Sequence, residues 1–209
     1  KMKEYFYAPQ KSIQVMNKIK GSKFYGSIKR TDNKEEARHF ISQIRDKYYD
    51  ASHNVYAYKI GSGDKALTRA DDDGEPARSS GPPVLQAIEG EGISNSTIVV
   101  TRYFGGIKLG IGGLVRAYGN TARMVIKQAG RKKLILYQKL KITGDYNNLG
   151  NIMGQLEAAN SEITETDYDN QGAHIYCNIE IYKLEKLSQN LVEYTGNRVN
   201  IEKVGLRYL

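Results

Sequence analysis

The stretch TRYFGGIKLGIGGLVRAYGN, Thr101 to Asn120, decides how this chain is read. It continues an apolar, β-branched run, and it places five glycines between Gly105 and Gly113. Ser96–Phe104, STIVVTRYF, predicts a central strand buried on both faces. Leu114, Ala117, Thr121 and Val125 recur at i, i+3/i+4 and predict a helix from about Gly113 to Gln128. Glycines between a buried strand and a helix either turn the chain tightly or let another group come close to the backbone. Free N–H groups and the helix dipole converge at such a point and suit phosphate.

Two phosphate fingerprints do not fit. Gly105 to Gly110 has P-loop spacing, but Ile111 and Gly112 stand where lysine and Ser/Thr belong. GIGGLV has valine at the third glycine position of a dinucleotide fingerprint, and no clear βαβ unit surrounds it. A purely structural reading, with turns and close packing against the sheet, stands beside the phosphate reading.

The helix carries a second face. Arg116, Asn120, Arg123 and Lys127 share helical spacing, and Arg131, Lys132 and Lys133 are expected to extend the row. Gly113 to Lys133 contains no Asp or Glu, so intrahelical ion pairs cannot use these cations. A row of cations beside a helix N-terminus suits a phosphate backbone; the bland alternative is a solvated face. Candidate nucleic-acid or phosphate contacts are Arg102, Tyr103, Gly105, Gly106, Lys108, Gly110, Gly112, Gly113, Arg116, Arg123 and Lys127. Tyr103, Phe104 and Tyr118 are the aromatic faces placed for base stacking, although a Tyr-Phe pair ending a buried strand also suits a core.

The net charge of +8 is unevenly spread. Residues 1–133 hold 24 Lys and Arg against 13 Asp and Glu, whereas residues 134–209 hold 7 against 10. The positive excess in the first part points to an anionic partner there, or serves solubility alone. No stretch approaches the ~18 apolar residues of a membrane span, so a cytoplasmic protein without a membrane partner is expected.

A second dense cluster is DDDGEP, Asp71 to Pro76. Asp71, Asp72, Asp73 and Glu75 could ligate Mg²⁺ through oxygen, and His53 or a carboxylate could act as acid or base. The preferred reading is turn chemistry, because the spacing matches no metal motif. Salt bridges from the cluster to Arg102 or Arg69 are a third reading. Neither a metal nor a cofactor is expected, and no catalytic residue is assigned, since Ser79 and Ser80 lack a nucleophile context. The single cysteine, Cys177, alternates with Ile175, Ile179 and Ile181 and reads as a small core residue; a thiolate zinc site is excluded.

Along the chain, Ile13–Arg30 predicts two strands joined at Gly21-Ser22. A helix follows, with Ala37, Phe40, Ile41 and Ile44 inward and Asp32 with Glu35 as its capping box. HNVYAYKIG predicts a strand, residues 63–81 turns throughout, and PPVLQAIEG a short helix. After GRKK the order is strand, helix, strand, strand, helix, strand. The expectation is therefore two domains, an α/β domain over 1–133 and an α+β, ferredoxin-like βαββαβ domain over 134–209.

DDGEP, VVTRYFGGIKLGIGGLVRAY and ASHNVYAY together resemble the IMPACT/YigZ family, from about Ser22 to Lys127. The remainder resembles the C-terminal domain of its bacterial members. The resemblance implies an N-terminal domain like domain 2 of ribosomal protein S5 and a C-terminal domain like the last domain of elongation factor G. Eukaryotic members regulate translation during amino-acid starvation, and RNA or ribosome binding is proposed for bacterial ones. The family brings no established catalytic residues. Where its pattern is GEPxGTAGxP, this chain has GEPARSSGPP, with Arg78 in place of a glycine and Ser79-Ser80 in place of Thr-Ala. The extra N-terminal domain through which eukaryotic members engage their partner is not in this sequence, so the starvation-kinase role does not carry over.

The expected function is a non-catalytic, translation-related protein that binds RNA or the ribosome. A phosphate-handling or metal-dependent hydrolase built on the Asp71–Glu75 turn is one alternative. A protein-binding regulator, using the acidic second part against a protein partner, is the other.

Overall fold

The structure, a computed structural model, describes residues 4–209. The chain is mixed α/β and divides into two compact units, one ending at Lys133 and the other spanning Leu134–Leu209.

The first unit begins with β1 (Tyr5–Pro9), β2 (Ile13–Ile19) and β3 (Ser22–Arg30). Lys20 and Gly21, both at positive φ, form the two-residue turn between β2 and β3. Then come α1 (Lys34–Lys47), β4 (His53–Ile60), β5 (Leu67–Asp71), α2 (Gly81–Gly90), β6 (Ser96–Tyr103) and α3 (Ile111–Ala129). The sheet order is β2-β3-β6-β4-β5, and each pairing is antiparallel. β6 is thus the middle strand, as its apolar run predicts, with Val100 flanked by Gly26 and Val55.

Alternation along β6 assigns the faces. Ile98 and Val100 join Phe24, Ile28, Val55 and Ala57 in a core closed by α2 and α3. Val99 joins Tyr56 and Tyr58 under α1, through Ala37, Phe40, Ile41 and Ile44. Both faces of the sheet are therefore covered, which is why the central strand reads as continuously apolar. The stripe Leu114, Ala117, Thr121 and Val125 is buried along α3.

Three expectations are corrected here. α1 is capped one residue later than expected. Asn33 Oδ1 accepts from the Glu36 amide at 2.8 Å, and Glu36 returns to the Asp32 amide at 2.9 Å. Asp32 instead pairs with Arg30. Residues 63–81 are not turns throughout, because Leu67–Asp71 pairs with β4 as an edge strand. Its exposed residues gave no apolar alternation. Finally, Gly130 at φ 71 ends α3, and Arg131–Lys133 open β7 (Arg131–Gly144) rather than extending the basic helix. The Arg131 guanidinium lies over the Tyr7 ring and the Lys133 ammonium over Tyr5.

In the second unit β7 is followed by α4 (Leu149–Ala158), β8 (Glu162–Asp169), β9 (Gly172–Glu180), α5 (Leu184–Tyr194) and β10 (Val199–Tyr208). These strands pair antiparallel in the order β10-β7-β9-β8. Leu140, Ile142, Ile175, Cys177 and Ile179 share the sheet face that packs against Ile152 and Leu156 of α4 and Leu187 and Leu191 of α5. Both helices therefore cover one face. Cys177 is wholly buried, and that burial pushes its thiol up to about 11, so it is a core residue and not a nucleophile. Among the described residues, no helix is long and apolar enough to cross a membrane.

Leu140→Ala should remove a fully buried side chain and lower stability by about 2–5 kcal/mol. A urea titration that found a loss below about 1 kcal/mol would contradict this packing.

Candidate nucleic-acid interface

The glycine loop is built on a buried ion pair. Strand alternation turns Arg102 toward α3 together with Ile98 and Val100, and leaves it only 5% exposed. Its Nη1 donates to Glu75 Oε1 at 2.7 Å, and Nη2 reaches Ser22 Oγ at 3.5 Å. The guanidinium lies between the rings of Phe24 and Phe104, 5.5 and 5.4 Å from their centroids. Tyr118 of α3 donates its hydroxyl to the same Glu75 oxygen at 2.7 Å. Burial, and then the bond to that carboxylate, push the Tyr118 phenol far up, so it remains a neutral donor. His53 Nδ1 faces the Asp73 carbonyl at 2.8 Å, and its Nε2 lies 3.8 Å from Glu75 Oε2. Two expectations change. Arg102 is buried, with Nη1 on Glu75 and Nη2 on Ser22, and is not one of the surface cations, and Tyr118, fully buried, offers no face for stacking.

This cluster also explains why glycine is needed. A Cβ on Gly105 would lie 2.0 Å from the Gly21 carbonyl carbon, so the β2–β3 turn and the loop touch backbone to backbone. Ser22 Oγ, already near Arg102, accepts from the Gly105 amide at 3.1 Å. Gly110 caps α3 at φ 69, a conformation that disfavours side chains. Gly112 is different. Its φ is ordinary, and a Cβ there would meet only the Arg116 guanidinium at 3.6 Å. Gly106, Lys108, Gly110 and Gly112 are exposed and Gly113 half-buried.

The acidic turn is occupied by its own structure. Asp72 Oδ1 accepts from the amides of Ser80 and Gly81 and from the Ser80 hydroxyl, while Oδ2 accepts from the Arg78 amide. It thereby anchors the start of α2. Burial pushes the Asp72 carboxyl up, but these hydrogen bonds together outweigh it and hold the pKa below the usual value of 3.8. Asp73 pairs with Arg45 at 2.5 Å and accepts from the Asn54 amide at 2.6 Å. Asp71 Oδ1 accepts from the Asp73 amide, and Tyr56 reaches Asp71 Oδ2 at 3.4 Å. Among the described residues no group of His, Cys, Asp and Glu is arranged to hold a metal ion. Arg78, where the family pattern has glycine, sits at φ 62, so the turn keeps a left-handed backbone at a residue that resists it.

Around the loop, Arg116, Arg123 and Lys127 are exposed on one face of α3. Among the described residues no carboxylate lies within ion-pair distance of any of them; Arg123 bonds only the Asn120 amide oxygen, at 2.7 Å. A hollow of about 250 Å³ lies between Lys20, Leu109, Arg116 and Asn120. On the other side of the loop is an aromatic cup of about 330 Å³ lined by Lys23, Tyr25, Tyr48, Tyr103 and Phe104. Tyr25 stacks on Tyr48 with centroids 5.6 Å apart, and Tyr103 stands edge-on to both. A hydrogen bond to Asp50 pushes the Tyr103 phenol up to about 12 and fixes its ring. Tyr25, Tyr48, Lys20 and Lys23 were not legible as site residues in the sequence. They lie 56 or more residues before the loop, which begins at Phe104, and only the β3–β6 register brings Tyr25 opposite Thr101.

The sequence model of the Impact N-terminal domain matches residues 20–126, which hold the loop, the acidic turn and most of α3. The chain is 33% identical over 191 residues to the IMPACT family member YvyE of Bacillus subtilis (strain 168), covering 91% of this chain and 87% of that protein. It is 33% identical to the IMPACT family member YigZ of Escherichia coli (strain K12), covering 79% of this chain and 81% of that one. A crystal structure of a hypothetical protein superposes with a TM-score of 0.72 at 28% identity, covering 98% and 99% of the two chains. The chain belongs to the IMPACT family.

The two kinds of glycine should respond oppositely to alanine. Gly105→Ala should destabilise by about 3 kcal/mol or more, because backbone must move. Gly112→Ala should stabilise by about 0.5–1 kcal/mol through helix propensity. Equal effects on the melting temperature would refute the assignment.

Asp72→Ala should cost about 1–3 kcal/mol at neutral pH by orphaning the α2 amides. The folded pKa of Asp72 is depressed, so its contribution is present above 3.8 and is lost as pH falls through the lower folded value. The stability gap between variant and parent should therefore narrow below that pH, and urea titrations across the acid range will show whether it does.

Proposed function

We propose that this chain is a non-catalytic, translation-related protein that binds single-stranded RNA, free or displayed on a ribosome, through the surface around its glycine loop. The observation that carries this reading is the juxtaposition of partly exposed aromatic rings with cations that, among the described residues, have no acidic partner. Arg123 and Lys127 stand one turn apart, with Arg116 two turns before Arg123 on the same face, and suit phosphates of one strand. Tyr103 and Phe104, with Tyr25 and Tyr48, form a platform on which unstacked bases can lie; Lys23 edges it, and Lys20 lines the hollow beside Arg116. Duplex RNA hides its bases and would leave that platform unused.

The family supports a regulatory rather than an enzymatic role, given what its eukaryotic members do. The hydrolase alternative loses its residues, since Asp71, Asp72, Asp73 and Glu75 each have internal partners. The strand order of the second unit, fourth-first-third-second, supports reading it as the ferredoxin-like domain that resembles the last domain of elongation factor G. The first unit is read as the domain like ribosomal protein S5 domain 2. A cytoplasmic location follows from such partners.

The test is the salt dependence of affinity. Changing Arg123 and Lys127 to Gln should weaken binding to every single-stranded sequence and flatten the slope of log affinity against log salt by about 1–2. The fold should survive, because neither side chain lies on the buried stripe. A folded double variant with parental affinity and slope would overturn the proposal.

A further inference from the structure

Beside the first turn of α3 lies a third hollow, of about 290 Å³, that shares Phe104 with the aromatic cup and Leu109 with the hollow beside Arg116. Pro76, Phe104, Leu109, Ile111 and Leu114 give it apolar walls. Ile111 is 65% exposed and Phe104 49%, an unusual display of large apolar surface for a loop beside a charged cluster. Its polar lining is Arg102, Glu75, Lys108 and the Gly110 backbone. The Glu75 charge is already met by Arg102 and Tyr118.

Two independent features of this hollow ask for an anionic or acceptor-bearing ligand. The first intrahelical bond of α3 is Leu114 N to Gly110 O, so the amides of Ile111, Gly112 and Gly113 precede it, and α3 has neither a capping side chain nor an acidic residue in its first turn. That N-terminus carries partial positive charge. The second feature is Arg102. Its Nη1 and Nη2 are engaged, but Nε is buried with no acceptor, although the side chain lines the hollow. A buried guanidinium N–H without a partner is costly and uncommon.

We infer that this hollow binds one nucleoside monophosphate unit. The phosphate lies on the α3 N-terminus and Lys108, the base lies against Phe104 and Ile111, and Arg102 Nε donates to an acceptor on the ligand. The hollow is at the lower end of the size range for small-molecule sites, which suits a nucleotide. Inorganic phosphate would leave the apolar walls unused. The unit comes either from a free mononucleotide or from one unstacked nucleotide of a strand; in the second case the inference rests on the RNA reading above.

The decisive variant is Ile111→Asp. An acidic residue in the first helical turn favours the helix, so the fold should hold, but it sets a carboxylate where the phosphate would lie. Val115→Asp is the control. It adds the same charge one turn on, at an exposed position outside the hollow. AMP and UMP are titrated by calorimetry, and labelled oligoadenosine and oligouridine by anisotropy, against the full chain and both variants. Ile111→Asp should lose about tenfold or more in affinity for whichever ligand the parent binds, because like charges at contact cost several kcal/mol. Val115→Asp should stay within about threefold.

Loss of mononucleotide affinity identifies the free nucleotide as the source, and loss confined to the oligonucleotides identifies the strand. If the parent binds oligonucleotides and Ile111→Asp binds them as Val115→Asp does, the hollow is not a ligand site while the RNA reading stands. If mononucleotides bind and oligonucleotides do not, the hollow stands and the RNA reading falls. A parent that binds neither overturns both.

Discussion

One carboxylate oxygen organises the first unit. Glu75 Oε1 accepts from Arg102 on the central strand and from Tyr118 on α3, and so ties the acidic turn to both elements that flank the glycine loop. Arg102 extends the connection to Ser22, whose hydroxyl in turn holds the Gly105 amide. A buried ion pair contributes little net stability, but losing either partner leaves an unpaired charge in the interior. Glu75 and Arg102 are therefore interdependent, and the path of the loop depends on both.

The same constraint explains the division of labour around the loop. Carboxylates in the DDDGEP turn face inward onto amides, Arg45 and Arg102, so they hold α2 and the sheet in place. Among the described residues the cations of α3 have no such partners, and they remain on the surface. Opposite charges thus serve opposite ends: the acidic residues build, and the basic ones are left free to meet an anion. Backbone contact between Gly21 and Gly105 brings the β2–β3 turn beside the loop, and Lys20 of that turn reaches the same hollow as Arg116.

Much of this was legible in the chain itself. A β-branched run, a glycine cluster and a period near 3.6 were enough for a central strand, a sharp exit and an amphipathic helix, because each signal is local. Cys177 alternates with isoleucines, and that period already placed it in a core. The acidic turn also read as turn chemistry from its residue types. The α1 cap was off by one residue, since Asp32, Asn33, Glu35 and Glu36 offer competing cap geometries within one turn. β5 was missed because an edge strand with exposed side chains carries no apolar alternation.

Sequence by itself determined the order of most elements, though not the edge strand β5, together with the charge asymmetry and the family blocks, all of which are encoded in neighbours or in composition. Only the tertiary structure decided which cations are free. Arg102 and Arg116 look alike in the quoted stretch, but the alternation of a strand covered on both faces sends Arg102 inward to Glu75, while the helical period leaves Arg116 in solvent. Tyr118 and Tyr103 are separated in the same way, one fully buried under Phe24 and the other at the rim of a cup. The cup itself joins residues from β3, the end of β6 and the C-cap of α1, and no local pattern records that meeting, because it depends on strand register across some 80 residues of intervening chain.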